Sequence, residues 1–175
     1  MLRTKAIEPT YLTGYRIGGY ASVFGVRDSH GDIVEKGAFT ASLSKWNADR
    51  RLSPIYLFSD HNKDKGYLPI GKITDLREDD YGLWMEAELT PDNQTVEAIK
   101  SEGFEGYGLS IGYFTEISRK EGSTRYLEQL DLIEISLVET ASNPDAFISE
   151  VKNTSKLELD REQLVELIAV MEKLR

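Results

Sequence analysis

Strand-length runs of branched and aromatic residues, cut by turn clusters at short intervals, dominate this 175-residue sequence and restrict it to few architectures. Residues 15–26, YRIGGYASVFGV, read as a strand with a bend or bulge at Gly18-Gly19. The turn cluster Asp28 to Asp32 follows, then an apolar spacing at Ala38, Phe39, Leu43 and Trp46 that predicts a short helix over 37–48. Residues 53–58 read as a strand, ending at Ser59-Asp60-His61-Asn62, and 63–68 as a charged loop. Residues 69–77 and 82–89 flank an acidic turn and predict a β-hairpin. Residues 91–101 predict a helix with Pro91 near its start and Val96, Ala98 and Ile99 facing inward. Two further strands are expected over 107–118 and 124–138, and Asn143-Pro144 closes the sheet region. No βαβ rhythm appears, so the expectation is a mainly β domain, a mostly antiparallel barrel or sandwich with peripheral helices.

The tail has a different pattern. Residues 149–157 read as a polar linker. From 158 to 175, Leu164, Leu167, Ile168, Met171 and Leu174 form one stripe, and Asp160 with Gln163 resembles a capping box. The expected division is therefore a β domain over 1–150 and a linker with a C-terminal amphipathic helix over 151–175. That helix needs a partner surface, on its own domain, in a homodimer or in a larger assembly.

Composition removes several function classes. There is no cysteine, which excludes a thiolate nucleophile, disulfides and Cys-ligated zinc. Two histidines, His30 and His61, make a His-rich metal centre a poor reading, and no metal or cofactor is expected. Lys and Arg number 21 against 30 Asp and Glu, a net charge of −9, which argues against nucleic acid as the main partner. No run approaches the ~20 apolar residues of a membrane span, and the first ten residues lack a signal-peptide core. The expectation is an acidic, cytoplasmic, soluble domain.

The segment 102–114, EGFEGYGLSIGYF, carries four glycines. On a strand, Leu109, Ile111 and Tyr113 share one face and turn to the core, while Gly108, Ser110 and Gly112 share the other. A serine on a floor stripped of side chains has room for a peptide backbone to approach, as a nucleophile needs. An unpacked corner with a chance solvent-facing hydroxyl satisfies the same spacing. GLSIG matches the letters of GxSxG, but the strand continues through 111–118, so the strand-turn-helix context of that motif is missing. Serine needs a neighbouring base. His61, just past a strand, is the better candidate, since His30 sits in a turn between Asp28 and Asp32. In LIEISLV, 132–138, Glu134 and Ser136 point away from the face of Ile133, Ile135 and Leu137. A carboxylate there requires a partner, so Glu134 is a candidate to orient the imidazole, with Asp60 and Glu139 as rivals. A pair of carboxylates suited to glycoside hydrolysis is not specified by any pattern here.

The blocks GYASVFGVRDSHGDIVEKGAF (19–39), FSDHN (58–62), PIGKI (69–73), GLSIGY (108–113) and LIEISLVETASNPDA (132–146) occur in an order that resembles the tailed-phage prohead serine proteases of the HK97 type. The resemblance covers roughly residues 15–148 and implies the herpesvirus assemblin-like fold, an antiparallel β-barrel surrounded by helices. It implies Ser110 as nucleophile, His61 as base and, less firmly, Glu134 as the orienting acid. Backbone N–H groups would serve as oxyanion donors, with 142–144 as the guess for their loop. It implies an endopeptidase confined to the procapsid in the host cytoplasm. Its substrates would be the capsid or scaffold protein and probably itself, with activation on dimerisation or assembly. Family members often carry a longer C-terminal region, removed by self-cleavage or used for targeting, whereas this sequence ends at Arg175. The competing reading is a silent assembly or scaffold-binding module on the same barrel.

Overall fold

In a computed structural model of the chain, residues 10–50, 54–61, 68–91, 93–104 and 107–158 are described. They form an eight-stranded sheet with two helices. In chain order these are β1 (Thr10–Val23), β2 (Asp32–Val34), α1 (Thr40–Ala48), β3 (Tyr56–Ser59), β4 (Gly71–Glu78), β5 (Gly82–Leu89), α2 (Gln94–Glu102), β6 (Gly108–Glu121), β7 (Thr124–Val138) and β8 (Ile148–Glu158). The expected hairpin β4–β5 is present, and the two strands expected over 107–118 and 124–138 form β6 and β7, which also pair antiparallel. The bend at Gly18-Gly19 is a register shift where β1 pairs with β8.

The long strand β7 organises the site. One side pairs with β6 along its whole length. The other side pairs in parallel with two short strands, β2 at Arg125–Leu127 and β3 at Glu134–Leu137. The stretch between them is covered by the start of α1. Leu130 N–H donates to the Ala38 carbonyl at 2.8 Å. The buried Ser42 hydroxyl donates to the Leu130 carbonyl at 2.9 Å and accepts from Leu132 N–H at 2.8 Å. The backbone groups of β7 are thus satisfied by a helix where no strand reaches them. Helix α2 is capped by Asn93, whose side chain accepts from the N–H groups of Thr95 and Val96. The core takes Leu43 and Trp46 from α1, Val96 and Ile99 from α2, and Leu57, Leu83, Met85, Leu109, Ile135 and Leu137 from the sheet.

Four expectations are corrected. The sheet is not closed as a barrel: β6 meets the residue just before β8 through one isolated bridge, Gly108 with Phe147, and no ladder extends it. The sheet is also not wholly antiparallel, since β7 takes two parallel neighbours. Ala98 is exposed, because a nine-residue helix resting on one side turns only Val96 and Ile99 inward. The polar linker over 149–157 is strand β8, paired with Thr10–Gly19 of β1, so residue 150 lies inside a strand. Its side chains from Ser149 to Asn153 are exposed, and an edge strand with exposed, polar side chains carries no strong apolar signature. The amphipathic stripe from Leu164 to Leu174, with Asp160 and Gln163, lies outside the described residues. No helix among the described residues is long and apolar enough to cross a membrane.

Candidate active site

Antiparallel register places Ser110 of β6 opposite Ser136 of β7, and Gly112 opposite Glu134. Directly opposed residues project to one face, so the hydroxyl of Ser110 and the carboxylate of Glu134 share a surface with only Gly112 and Ser136 between them. The gap matters. A Cβ at Gly112 would lie 2.6 Å from Cγ and 2.8 Å from Oε1 of Glu134. At Gly108 a Cβ would lie 2.8 Å from that of Ala141. The glycine spacing around Ser110 therefore serves close approach of neighbouring groups, as the strand reading required.

His61 reaches this surface from β3. That strand pairs with Glu134–Leu137, and the chain then turns through Asp60 and His61 with φ of 51° and 53°. Left-handed backbone costs a non-glycine residue about 1–2 kcal/mol, so it persists only where its surroundings hold it. Two bonds from β7 do so: Asp60 N–H donates to the Leu137 carbonyl at 2.9 Å, and His61 N–H donates to Ser136 Oγ at 3.3 Å. The turn brings the imidazole between the other two groups. His61 Nδ1 is 2.5 Å from Glu134 Oε1, and His61 Nε2 is 2.9 Å from Ser110 Oγ. A carboxylate at Nδ1 selects the tautomer with its proton there, leaving Nε2 to accept from the serine hydroxyl.

Burial differs sharply along this relay. Glu134 is 4% exposed, while the His61 side chain is 44% exposed. The bond to Glu134 raises the His61 pKa, burial opposes the rise, and the charges of Glu134 and Asp60 add to it. The rivals for the third position stand apart: the Asp60 carboxylate accepts from the Ser59 hydroxyl at 3.0 Å, and Glu139 is exposed just past β7. Chemically, the arrangement can draw a proton from the hydroxyl as the oxygen attacks and hold the resulting imidazolium against a fixed negative charge.

A solvent-open cleft contains Ser110 and His61. Its walls include Leu109, Ile111, Tyr113, Ser142 and Asn143. The loop 142–143 is tied down by Ser29 N–H donating to the Ser142 carbonyl at 3.0 Å and Asn143 Nδ2 donating to the Val23 carbonyl at 2.9 Å. His30 stands in its turn with an exposed side chain and, with Asp28 and Asp32, also lines the cleft. Asp32 is buried and paired with Arg125. Sequence reasoning missed this wall, because the turn cluster that forms it carries no apolar pattern.

The fold is similar to one already seen in a solved viral protease. The bacteriophage T4 capsid assembly protease gp21 aligns with a TM-score of 0.56 at 12% identity, over 75% of this chain and 98% of that one. The protease of KSHV, solved with a hexapeptide phosphonate inhibitor, aligns at 10% identity over 93% of this chain and 78% of that one, with a TM-score of 0.49. Residues 2–160 match the family of the caudovirus prohead serine protease, and the chain belongs to that family. It is 30% identical over 151 residues to the prohead protease of Enterobacteria phage HK97, covering 82% of this chain and 63% of that protein. The chain thus spans less than two thirds of that relative's length.

Proposed function

We propose that this chain is a serine endopeptidase that cleaves capsid or scaffold protein, and itself, inside the procapsid during prohead maturation. Ser110 Oγ attacks the scissile carbonyl, His61 Nε2 takes its proton and later gives it to the leaving amine, and Glu134 steadies the imidazolium. Main-chain N–H groups of the loop 142–143 are the donors we assign to the oxyanion. Self-cleavage, confinement in the capsid and the choice of substrate belong to the same proposal, supported by membership of the prohead protease family.

The observation that carries this reading is the unbroken relay from Glu134 through His61 to Ser110, at 2.5 and 2.9 Å, opening into a cleft. A silent binding module would have no use for a buried carboxylate, which is costly unless it is partnered. The test is intact-mass analysis after a serine-directed phosphonate, with co-expressed capsid protein as the substrate assay. One adduct on the parent chain, none on Ser110→Ala, and slowing by about 100-fold or more on His61→Ala are expected. Capsid processing that survives Ser110→Ala would overturn the assignment.

A further inference from the structure

Ser136 is fully buried and touches two members of the relay at once. Its hydroxyl donates to Glu134 Oε2 at 3.2 Å, the oxygen that His61 does not use. The same oxygen atom accepts from the backbone N–H of His61 at 3.3 Å. No water reaches this position, since Ser136 is 0% exposed. An apolar residue there would leave a buried carboxylate oxygen short of a partner and remove the side chain that the His61 N–H bonds to.

We infer that Ser136 is a positioning residue, one hydroxyl that sets both the angle of Glu134 and the left-handed turn presenting His61. The two constraints act in different directions. The bond to Oε2 stops the carboxylate from rotating about its terminal torsion, which is broad for glutamate. The bond from His61 N–H holds a backbone conformation that a histidine does not favour. Removing the hydroxyl frees both ends of the Glu134–His61 contact. Ser110 is left in place, because its position comes from the β6–β7 ladder. A serine two residues after the acid, on the same face of one strand, is thus part of the device that aims the base.

This inference rests on the triad reading, so its test needs a readout that does not require a reactive serine. The chain has two histidines, and the His30→Gln variant assigns the His61 imidazole signal in an NMR titration. The charged and titratable groups around that imidazole are Glu134 on β7, Asp60 in its own turn, and Asp28, His30 and Asp32 on the cleft wall. Ser136→Ala leaves all of them unchanged. The expected result is a His61 midpoint that falls toward that of a free imidazole in Ser136→Ala, with phosphonate labelling of Ser110 slowed by about tenfold. Ser136→Thr and Ser136→Val are matched in shape and differ in the hydroxyl; the midpoint is retained in the first and lost in the second. A titration unchanged in Ser136→Ala, in a protein that unfolds as cooperatively as the parent, overturns the inference. Absence of label on the parent chain fails the triad reading instead, while the titration still decides the role of Ser136.

Discussion

A methyl group added at Gly112 would stand within van der Waals contact of the Glu134 carboxylate, at 2.6 Å from Cγ. Gly112→Ala therefore pushes the carboxylate off His61 without touching either residue in sequence. Misplacing a reacting group by about 1 Å costs about 100-fold, and phosphonate labelling of Ser110 is expected to slow by that order. The sheet itself survives, which circular dichroism checks. A second prediction at this scale concerns pH. The bond to Glu134 raises the His61 pKa, so the imidazolium persists above the ordinary midpoint of about 6.5 and the base form prevails only at higher pH. Labelling should rise with pH through that raised midpoint, and Glu134→Gln should move the midpoint down. The sign for stability is opposite: what His61 contributes to folding is fully present below the ordinary imidazole value and is lost as pH rises through the raised one.

Among the elements, α1 shows how a helix can stand in for a strand. Between the stretches paired to β2 and β3, the edge of β7 would expose the carbonyl of Leu130 and the N–H of Leu132; Ser42 satisfies both. Ser42→Ala leaves the two groups buried and unpaired, and a loss of about 1–3 kcal/mol in denaturant unfolding is expected. The same change should leave labelling near the parent rate at low denaturant, since α1 does not reach the relay. The alternation of LIEISLV foretold which side chains share a face. It could not foretell that a helix would interrupt the ladder, because the groups that needed covering belong to the backbone, whose polarity is the same at every position. The edge strand β8 leaves no trace in the local pattern for a related reason: its hydrogen bonds hold it to β1, and its exposed side chains do not record them.

Across the whole molecule, the pairings are distant in sequence. The first described strand ladders onto the last, with Thr10 opposite Glu158, and β7 joins strands from both halves of the chain. Non-local pairing must meet its loop-closure entropy before contacts form, so refolding in milliseconds to seconds is expected by stopped flow. Trp46 on α1 and Trp84 on β5 are both buried in separate parts of the fold. Their fluorescence and the far-ultraviolet dichroism should lose signal in one coincident transition. Separate midpoints would mean that α1 and the β4–β5 hairpin come apart independently.

Sequence alone determined the mainly β character, the β4–β5 hairpin, the two strands β6 and β7, and a serine sharing its strand face with glycines on either side. Those features are written in local alternation, where each residue's polarity reports the side it will occupy. The open rather than closed sheet, the parallel neighbours of β7 and the strand β8 were decided only by tertiary structure. So was the meeting of Ser110 with His61, 49 positions away, and of His61 with Glu134, 73 positions away. Such meetings depend on which backbone edges find each other and on a turn held left-handed from a neighbouring strand. No window of sequence contains both partners, so neither the pairing nor the strain that the pairing sustains can be read from local pattern.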